Sequence, residues 1–428
     1  MKYLPGNREV IIMANIAVLG YGVVGSGVVE VIKENSSSIS RKAGEEIKVK
    51  KILDIRDFPD SPDRDLLTQN PDDIFEDDSI SIVVETIGGV GVAHEYTKKA
   101  FLKGKHVVTS NKELVAAHGP ELMQLAKDCG VNYLFEASVG GGIPIIRPLN
   151  QCLAANEIIG ITGILNGTTN YILTQMKREG KDFDEALKSA QQNGYAEANP
   201  AADIEGHDAC RKIAILSSIA YNEFVDSKNI YTEGITNITL ADMEYAEAMN
   251  SVIKLLAISK KVGDKIFARV SPAIISKNHP VANVEDVFNA IIVKGNAIGD
   301  AMFYGKGAGK LPTASAVVAD VIDIVRHIDS NGKNVWKRKD YNNVIDINES
   351  TTRFFIRVSA NNAEEAVNYI KQVFGDVEFI KPVKDSYKDE VAFVTAEAKE
   401  GELASKKDSL KASASIKDVI SVIRVEEE

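Results

Sequence analysis

In "GYAEANPAADIEGHDACRKIAIL" (residues 194–216) the acids Glu197, Asp203, Glu205 and Asp208 lead up to Arg211 and Lys212, just ahead of an apolar stretch. Asp208 and Lys212 are four apart, so a helix places them on one face, with Ile213, Leu216 and Ile219 on the packed side. One reading is an exposed ion pair worth roughly 0.3–0.5 kcal/mol. The other is a polar pocket for a small charged substrate, because the helix continues as the buried-looking "IAILSSIAY". Asp203, close behind Pro200, reads as a helix N-cap.

The N-terminal third indicates what such a pocket would work with. In "ANIAVLGYGVVGSGVVEVIKEN" an apolar run at 16–19 suits a buried parallel strand, and Gly20-Tyr21-Gly22-Val23-Val24-Gly25 follows as GxGxxG. Val28, Val29, Val31 and Ile32 then give a helix its apolar face. Gly20 permits the tight turn, Gly22 the approach of a pyrophosphate, and Gly25 close packing of helix on strand. With strand before and helix after, a dinucleotide site is preferred to a bare glycine turn. Further strands are expected at 47–55, 79–89 and 105–109, with Ser110-Asn111-Lys112 just past the last. That edge of an open α/β sheet is where ligands bind.

Two loops remain ambiguous from their residues. In "NYLFEASVGGGIPIIRPL" a strand at 132–136 leads to Ser138, Val139 and the glycines 140–142. A cation loop with Glu136 alongside and a domain hinge explain it equally well. In "GITGILNGTTNYILTQM" strand residues Ile158, Ile161 and Ile164 run into Asn166-Gly167-Thr168-Thr169-Asn170, a turn and helix cap, with Tyr171, Ile172 and Met176 on the following helix face.

The bulk composition limits the partners. A chain of 428 residues exceeds one ordinary core, so two or three domains are expected. A net charge of -11 argues against a general nucleic-acid binder. Cys129, Cys152 and Cys210 are widely spaced with no CxxC, which fits a reducing cytoplasm and gives no disulfide framework or zinc site. No stretch approaches the ~18 apolar residues of a membrane span, and the N-terminus does not read as a signal peptide. Met13 directly precedes the first strand, so residues 1–12 are expected to be an extension or an upstream start.

Taken together, "GYGVVGSGV", "TSNKELVA", "EASVGGGIPI", "GILNGTTNYIL", "GYAEANPAADIEGHDACRK" and "GKGAGKLPTASAVVADV" resemble the homoserine dehydrogenases, in family order from residue 15 to about 325. The resemblance implies reversible NADPH- or NADH-dependent reduction of L-aspartate 4-semialdehyde to L-homoserine, the branch step toward threonine, methionine and isoleucine. It implies cofactor contacts from Gly20, Gly22, Val23, Val24, Gly25, Arg56, Thr109, Lys112 and Gly309. Lys212 matches the family's proton donor, and Lys112 is expected to join it in bracketing the reacting group and the substrate carboxylate. Glu197 matches the acid on the substrate ammonium, with Asp203 and Asp208 beside it. Glu136, Val139, Gly141 and Ile143 match a loop for a monovalent cation, Na+ or K+, the first by side chain and the rest by backbone oxygens. A homodimer or higher homo-oligomer is expected. Aspartate-semialdehyde dehydrogenase is rejected, because none of the cysteines sits in a nucleophile context with a histidine. A silent nucleotide sensor and a dehydrogenase of other specificity are the remaining alternatives.

The expected architecture is α/β. It comprises a doubly wound parallel dinucleotide domain at 1–143 and a substrate and dimerisation domain at 144–326, whose closing helix at about 313–326 returns to the first. A polar linker follows at 327–350, then a βαββαβ, ferredoxin-like module at 351–428 resembling an ACT domain. The ACT glycine turn is replaced by Asn361-Asn362-Ala363-Glu364, so an assembly role stands beside amino-acid binding. A chain ending near Ser350 is expected to stay folded and active. Asp54 stands where an acid would bond the ribose 2′-hydroxyl of NAD, and Arg56 where the family's arginine meets the 2′-phosphate of NADP. The two are expected not to face the ribose together. Asp60 and Asp63 then follow where many relatives are basic, so dual use with a modest NADP preference is expected.

Overall fold

Strands such as "IAVL" and "ISIVVE" carry no polar face, so both their surfaces must be covered. The structure, a computed structural model, describes residues 13–329 and 335–426. The suggested extension at 1–12 lies outside the described residues, as do 330–334 of the expected linker. Two compact units divide the chain: Met1–Pro148 with Ala308–Lys337, and Leu149–Gly307 with Arg338–Glu428.

The first unit holds β1 (Met13–Leu19), β2 (Glu46–Leu53), β3 (Leu67–Thr68), β4 (Ile80–Glu85), β5 (His106–Thr109) and β6 (Tyr133–Leu134). They form a parallel sheet in the order β3-β2-β1-β4-β5-β6. The order reverses between β1 and β4, the switch point of a Rossmann-type fold, as the sequence led us to expect. The second strand stops at Leu53 rather than 55, and Ile55 is 91% exposed. The closing helix spans Lys310–Arg326, about a turn longer than expected, because Gly309 at φ +122° forms its N-cap. It lies against the helix Val23–Glu34 at Gly27, where a Cβ would meet the Lys310 Cγ at 3.0 Å and the Ala314 Cβ at 3.2 Å. Ile16, Val28, Ile82, Val108, Val317 and Val321 share the resulting core.

The second unit contains β7 (Ile158–Ile164), β8 (Tyr231–Thr232), β9 (Ser251–Val262), β10 (Lys265–Ser276), β11 (Phe288–Gly295) and β12 (Gly299–Lys306). After residue 350 come β13 (Thr351–Ala360), the helix Ala363–Phe374, β14 (Val377–Ile380), β15 (Glu390–Thr395) and β16 (Ala398–Lys399). The helix Glu400–Leu410 and β17 (Ile416–Glu426) complete a βαββαβ succession once the two-residue β16 is set aside. One sheet, β12-β11-β7-β9-β10-β17-β13-β15-β14, runs through both parts. The join is parallel pairing of Ala273–Ile275 in β10 with Arg424–Glu426 in β17.

Contacts beyond this pairing also tie the segment around residue 343 and the C-terminal part to the rest of the unit. The Ile266 amide donates to the Asn343 carbonyl at 2.8 Å, and the Asn343 side chain donates to the Phe224 carbonyl at 3.1 Å. Three buried arginines also cross the boundary. Arg357 meets Asp242 and Glu390, Arg424 meets Glu233 and Glu400, and Arg269 meets Glu400 and Glu426.

Candidate active site

In the first unit the candidate site lies at the switch point. Gly20 adopts φ +94° after β1, and a Cβ on Gly25 would sit 1.9 Å from the Gly20 carbonyl oxygen, so helix and turn touch only because both are glycine. A Cβ on Gly22 would meet nothing closer than 3.9 Å, which leaves room above the turn. Gly22 is the N-cap of the helix Val23–Glu34, and no side chain caps that end. The amides of its first turn, beginning Val23-Val24-Gly25, therefore suit an anion. Next to it opens a cleft of about 440 Å³, lined by Gly20, Gly22, Asp54, Arg56, Thr86 and Tyr96 among others.

Asp54 and Arg56 both line this cleft and are paired with each other. The Arg56 Nε and Nη2 donate to the two Asp54 oxygens at 3.0 and 2.9 Å. The Arg56 and Tyr21 amides add bonds of 2.9 and 2.7 Å to the same carboxylate. The Arg56 hydrogen bonds, against the opposing effect of burial, hold the Asp54 carboxyl down at about 2.

At the ends of β4 and β5, Thr109 is fully buried and donates to Glu85 at 2.5 Å, while accepting from the Asn111 amide at 2.9 Å. This hydroxyl is engaged on both sides, which makes the Thr109 side chain a support for the strand ends. Burial pushes the Glu85 carboxyl up to about 7. Asn111 caps the helix Lys112–Asp128 by accepting from the Leu114 amide, and its side-chain amide donates to the Ile87 and Gly89 carbonyls. The loop after β4 is thereby tied to the turn carrying half-buried Lys112.

The buried Glu136 carboxylate accepts the amides of Ile145, Ile146 and Arg147 at 2.6, 2.8 and 2.6 Å. Two of these bonds go to Oε1 and one to Oε2, which keeps acceptor capacity on Oε2. Gly141 turns the adjoining loop at φ +57°. Asp320 on the closing helix accepts the Glu136 amide at 2.8 Å and pairs with Arg147, and burial pushes its carboxyl up to about 7 despite that arginine.

A separate polar cluster lies in the second unit. Lys212 is buried in the helix His207–Tyr221, with its Nζ 2.8 Å from the Leu165 carbonyl and 2.8 Å from the Asp208 Oδ2. The pair is therefore not an exposed one. Asn166 joins the cluster: its Nδ2 donates to Asp203 at 2.7 Å and to Asp208 at 2.9 Å, while its Oδ1 caps the helix Gly167–Glu179. Asp203 is not an N-cap but sits inside the short helix Ala201–Ile204. Burial and then the Asp208 charge raise its pKa. Glu197 stands exposed on the preceding loop. Glu85 and Asp320 are residues that sequence reasoning did not single out, while Asn166 and Asn111, read there as a cap and as part of the sheet-edge turn, take on further partners.

A parallel sheet with a glycine turn and an anion-ready helix end at its switch point, in a chain that also carries a buried lysine–acid cluster, defines a dinucleotide-binding oxidoreductase. Residues 144–322 match the family described as homoserine dehydrogenase, and residues 20–136 its NAD binding domain. The chain belongs to the homoserine dehydrogenase family. It is 40% identical over 431 residues to the homoserine dehydrogenase of Synechocystis sp., covering 96% of this chain and 99% of that one. A crystal structure of a homoserine dehydrogenase from Thiobacillus denitrificans superposes with a TM-score of 0.90 at 37% identity, covering 97% of this chain and 99% of the other. A hyperthermophilic archaeal homoserine dehydrogenase in complex with NADPH matches with a TM-score of 0.62 at 32% identity, over 73% of this chain and 97% of that one. Among the described residues no helix is long and apolar enough to cross a membrane.

Proposed function

We propose that the chain interconverts L-aspartate 4-semialdehyde and L-homoserine, with Lys212 exchanging the proton at the substrate oxygen. The supporting observation is the buried Lys212 ammonium, held between the Leu165 carbonyl and Asp208. When bound, the nicotinamide supplies or accepts the hydride. During reduction Lys212 protonates the oxygen as negative charge grows there, and during oxidation it takes that proton back. Asp208 fixes the ammonium, and Asn166 spaces Asp208 from Asp203. Asp203 and Glu197 meet the substrate ammonium, and Lys112 meets its carboxylate. The Glu136 side chain and the carbonyls of Val139, Gly141 and Ile143 hold Na+ or K+. The reaction stands at the branch toward threonine and methionine, and the C-terminal βαββαβ part is ACT-like.

Both nucleotides are used, with NADP preferred through Arg56. Asp54 already accepts four hydrogen bonds from Tyr21 and Arg56, so a ribose hydroxyl finds it occupied. The Arg56 side chain is 59% exposed at the cleft and keeps N–H groups for a 2′-phosphate. The archaeal relative's NADPH complex supports the same lean. Homoserine-dependent reduction of each nucleotide tests the activity, and comparison of wild type with Arg56→Ala tests the preference. The NADP-to-NAD ratio of kcat/KM should fall about tenfold or more, since a charge-assisted phosphate contact is worth ~1.5–3 kcal/mol. An unchanged ratio would mean Arg56 does not read the phosphate, and no turnover of homoserine with either nucleotide would sink the proposed activity.

A further inference from the structure

Two histidines on neighbouring helices of the first unit take no part in the chemistry above. His94 lies on the helix Gly91–Leu102, and His118 lies on the helix Lys112–Asp128 with Glu121 one turn further on. The His94 Nε2 is 3.3 Å from the Glu121 Oε2, and the His118 Nδ1 is 3.4 Å from the same oxygen. One donor atom from each of the three side chains lies within 4.8 Å of the other two, and the imidazole centroids are 4.2 Å apart. We propose that His94, His118 and Glu121 bind one transition-metal dication of the zinc class and so clamp the two helices together.

The distances suit that ion. Zinc bonds of about 2.0–2.1 Å in a tetrahedron set ligand atoms about 3.3–3.4 Å apart. Both histidine–carboxylate separations already have this length. Two imidazoles with one carboxylate select zinc, nickel, copper or cobalt, since magnesium and calcium prefer oxygen ligands throughout. The Glu121 carboxylate is also oriented from behind. Lys98 donates to its Oε1 at 2.9 Å, which leaves Oε2 toward the imidazoles, the usual arrangement of an outer-shell partner. The three side chains are partly exposed, so the ion has an entry path and a position for water. Without a metal, the same contacts amount to two imidazoles hydrogen-bonded to one carboxylate oxygen. The helix Gly91–Leu102 follows the Ile87–Gly89 loop and the other helix begins at Lys112, so the clamp stabilises elements behind the cleft and does no chemistry itself.

The test is calorimetric titration of zinc into the untagged, chelator-stripped full chain. One zinc per chain is expected, with affinity reduced at least tenfold in both His94→Ala and His118→Ala and unchanged in Cys152→Ser, which removes an exposed competing thiol. Zinc should raise the melting temperature of wild type but not of the double histidine variant. Titration of wild type with cobalt(II) needs no variant, and should give the intense visible bands of a four-coordinate site. Absence of stoichiometric binding, binding indifferent to both histidines, binding lost in Cys152→Ser, or a six-coordinate cobalt spectrum would each overturn the proposal.

Discussion

Replacing Glu400 by alanine should strongly destabilise the second unit, although Glu400 is remote in sequence from every motif of the site. Glu400 is 5% exposed and receives the Arg424 Nε and Nη2 at 2.9 and 2.8 Å, with the Arg269 Nη1 at 3.5 Å. Arg424 and Arg269 are 4% and 2% exposed, so neither guanidinium can turn to water. Breaking a buried pair from one side costs about 3–5 kcal/mol, against under about 1 kcal/mol for an exposed pair. Glu233 still holds Arg424 and Glu426 still holds Arg269, which points to the lower end, about 3 kcal/mol. Urea unfolding followed by circular dichroism measures it, with the slope checked for constancy. A loss below about 1 kcal/mol would refute the reasoning that these charges weld the tail to the sheet. The same reasoning bears on a chain ending near Ser350. Such a chain lacks Glu400 and β17 together, which removes both carboxylates of Arg269 and the parallel neighbour of β10, and its second unit should be less stable than that of the full chain.

Glu85→Gln should change the pH dependence of stability. The folded carboxyl titrates at about 7 against an ordinary 4.5, so stability is full below about 4.5 and falls as pH rises through 7. The variant should remove a decline on the order of 3 kcal/mol, gaining on wild type at pH 8 but not at pH 4, and parallel thermal-melt curves for the two proteins would contradict this. Asn166→Ala removes the amide joining Asp203 to Asp208 and the cap on the helix Gly167–Glu179. It should lower kcat/KM for homoserine at least tenfold and stability by about 1 kcal/mol, with the nucleotide Kd unchanged; unchanged kinetics would remove Asn166 from the site.

The sequence made the first unit legible because its signals are local. A strand, the three glycines of GxGxxG and an amphipathic helix follow one another between Met13 and Glu34, and the close contact of Gly25 with Gly20 gives that spacing its physical meaning. The four-residue spacing of Asp208 and Lys212 likewise showed a shared face, though not whether that face was wet or buried. Burial depended on Leu165 and Asn166, more than 40 residues away. Asn166 was legible as a cap, and its second task uses the amide end that capping leaves free. Glu85 and Asp320 stayed hidden because each sits in an apolar run, Glu85 at a strand end and Asp320 inside the closing helix; an acid closing "SIVVE" just before glycines was the available signal. The order of elements in the tail was readable from periodicity, but pairing of β17 with β10 was not, since edge partners leave no mark on the alternation of either strand. Arg269 within "FARVSPAII" was its one trace.

The role of Lys212 is decided by comparing Lys212→Ala with wild type, measuring kcat for homoserine oxidation and the Kd of the nucleotide on the same preparations. Loss of the proton-carrying ammonium should remove ~3 kcal/mol or more of transition-state stabilisation, a fall in kcat of about 10²-fold or greater, while nucleotide affinity stays within about twofold. A kcat within about threefold of wild type would contradict Lys212 as the group that exchanges the proton.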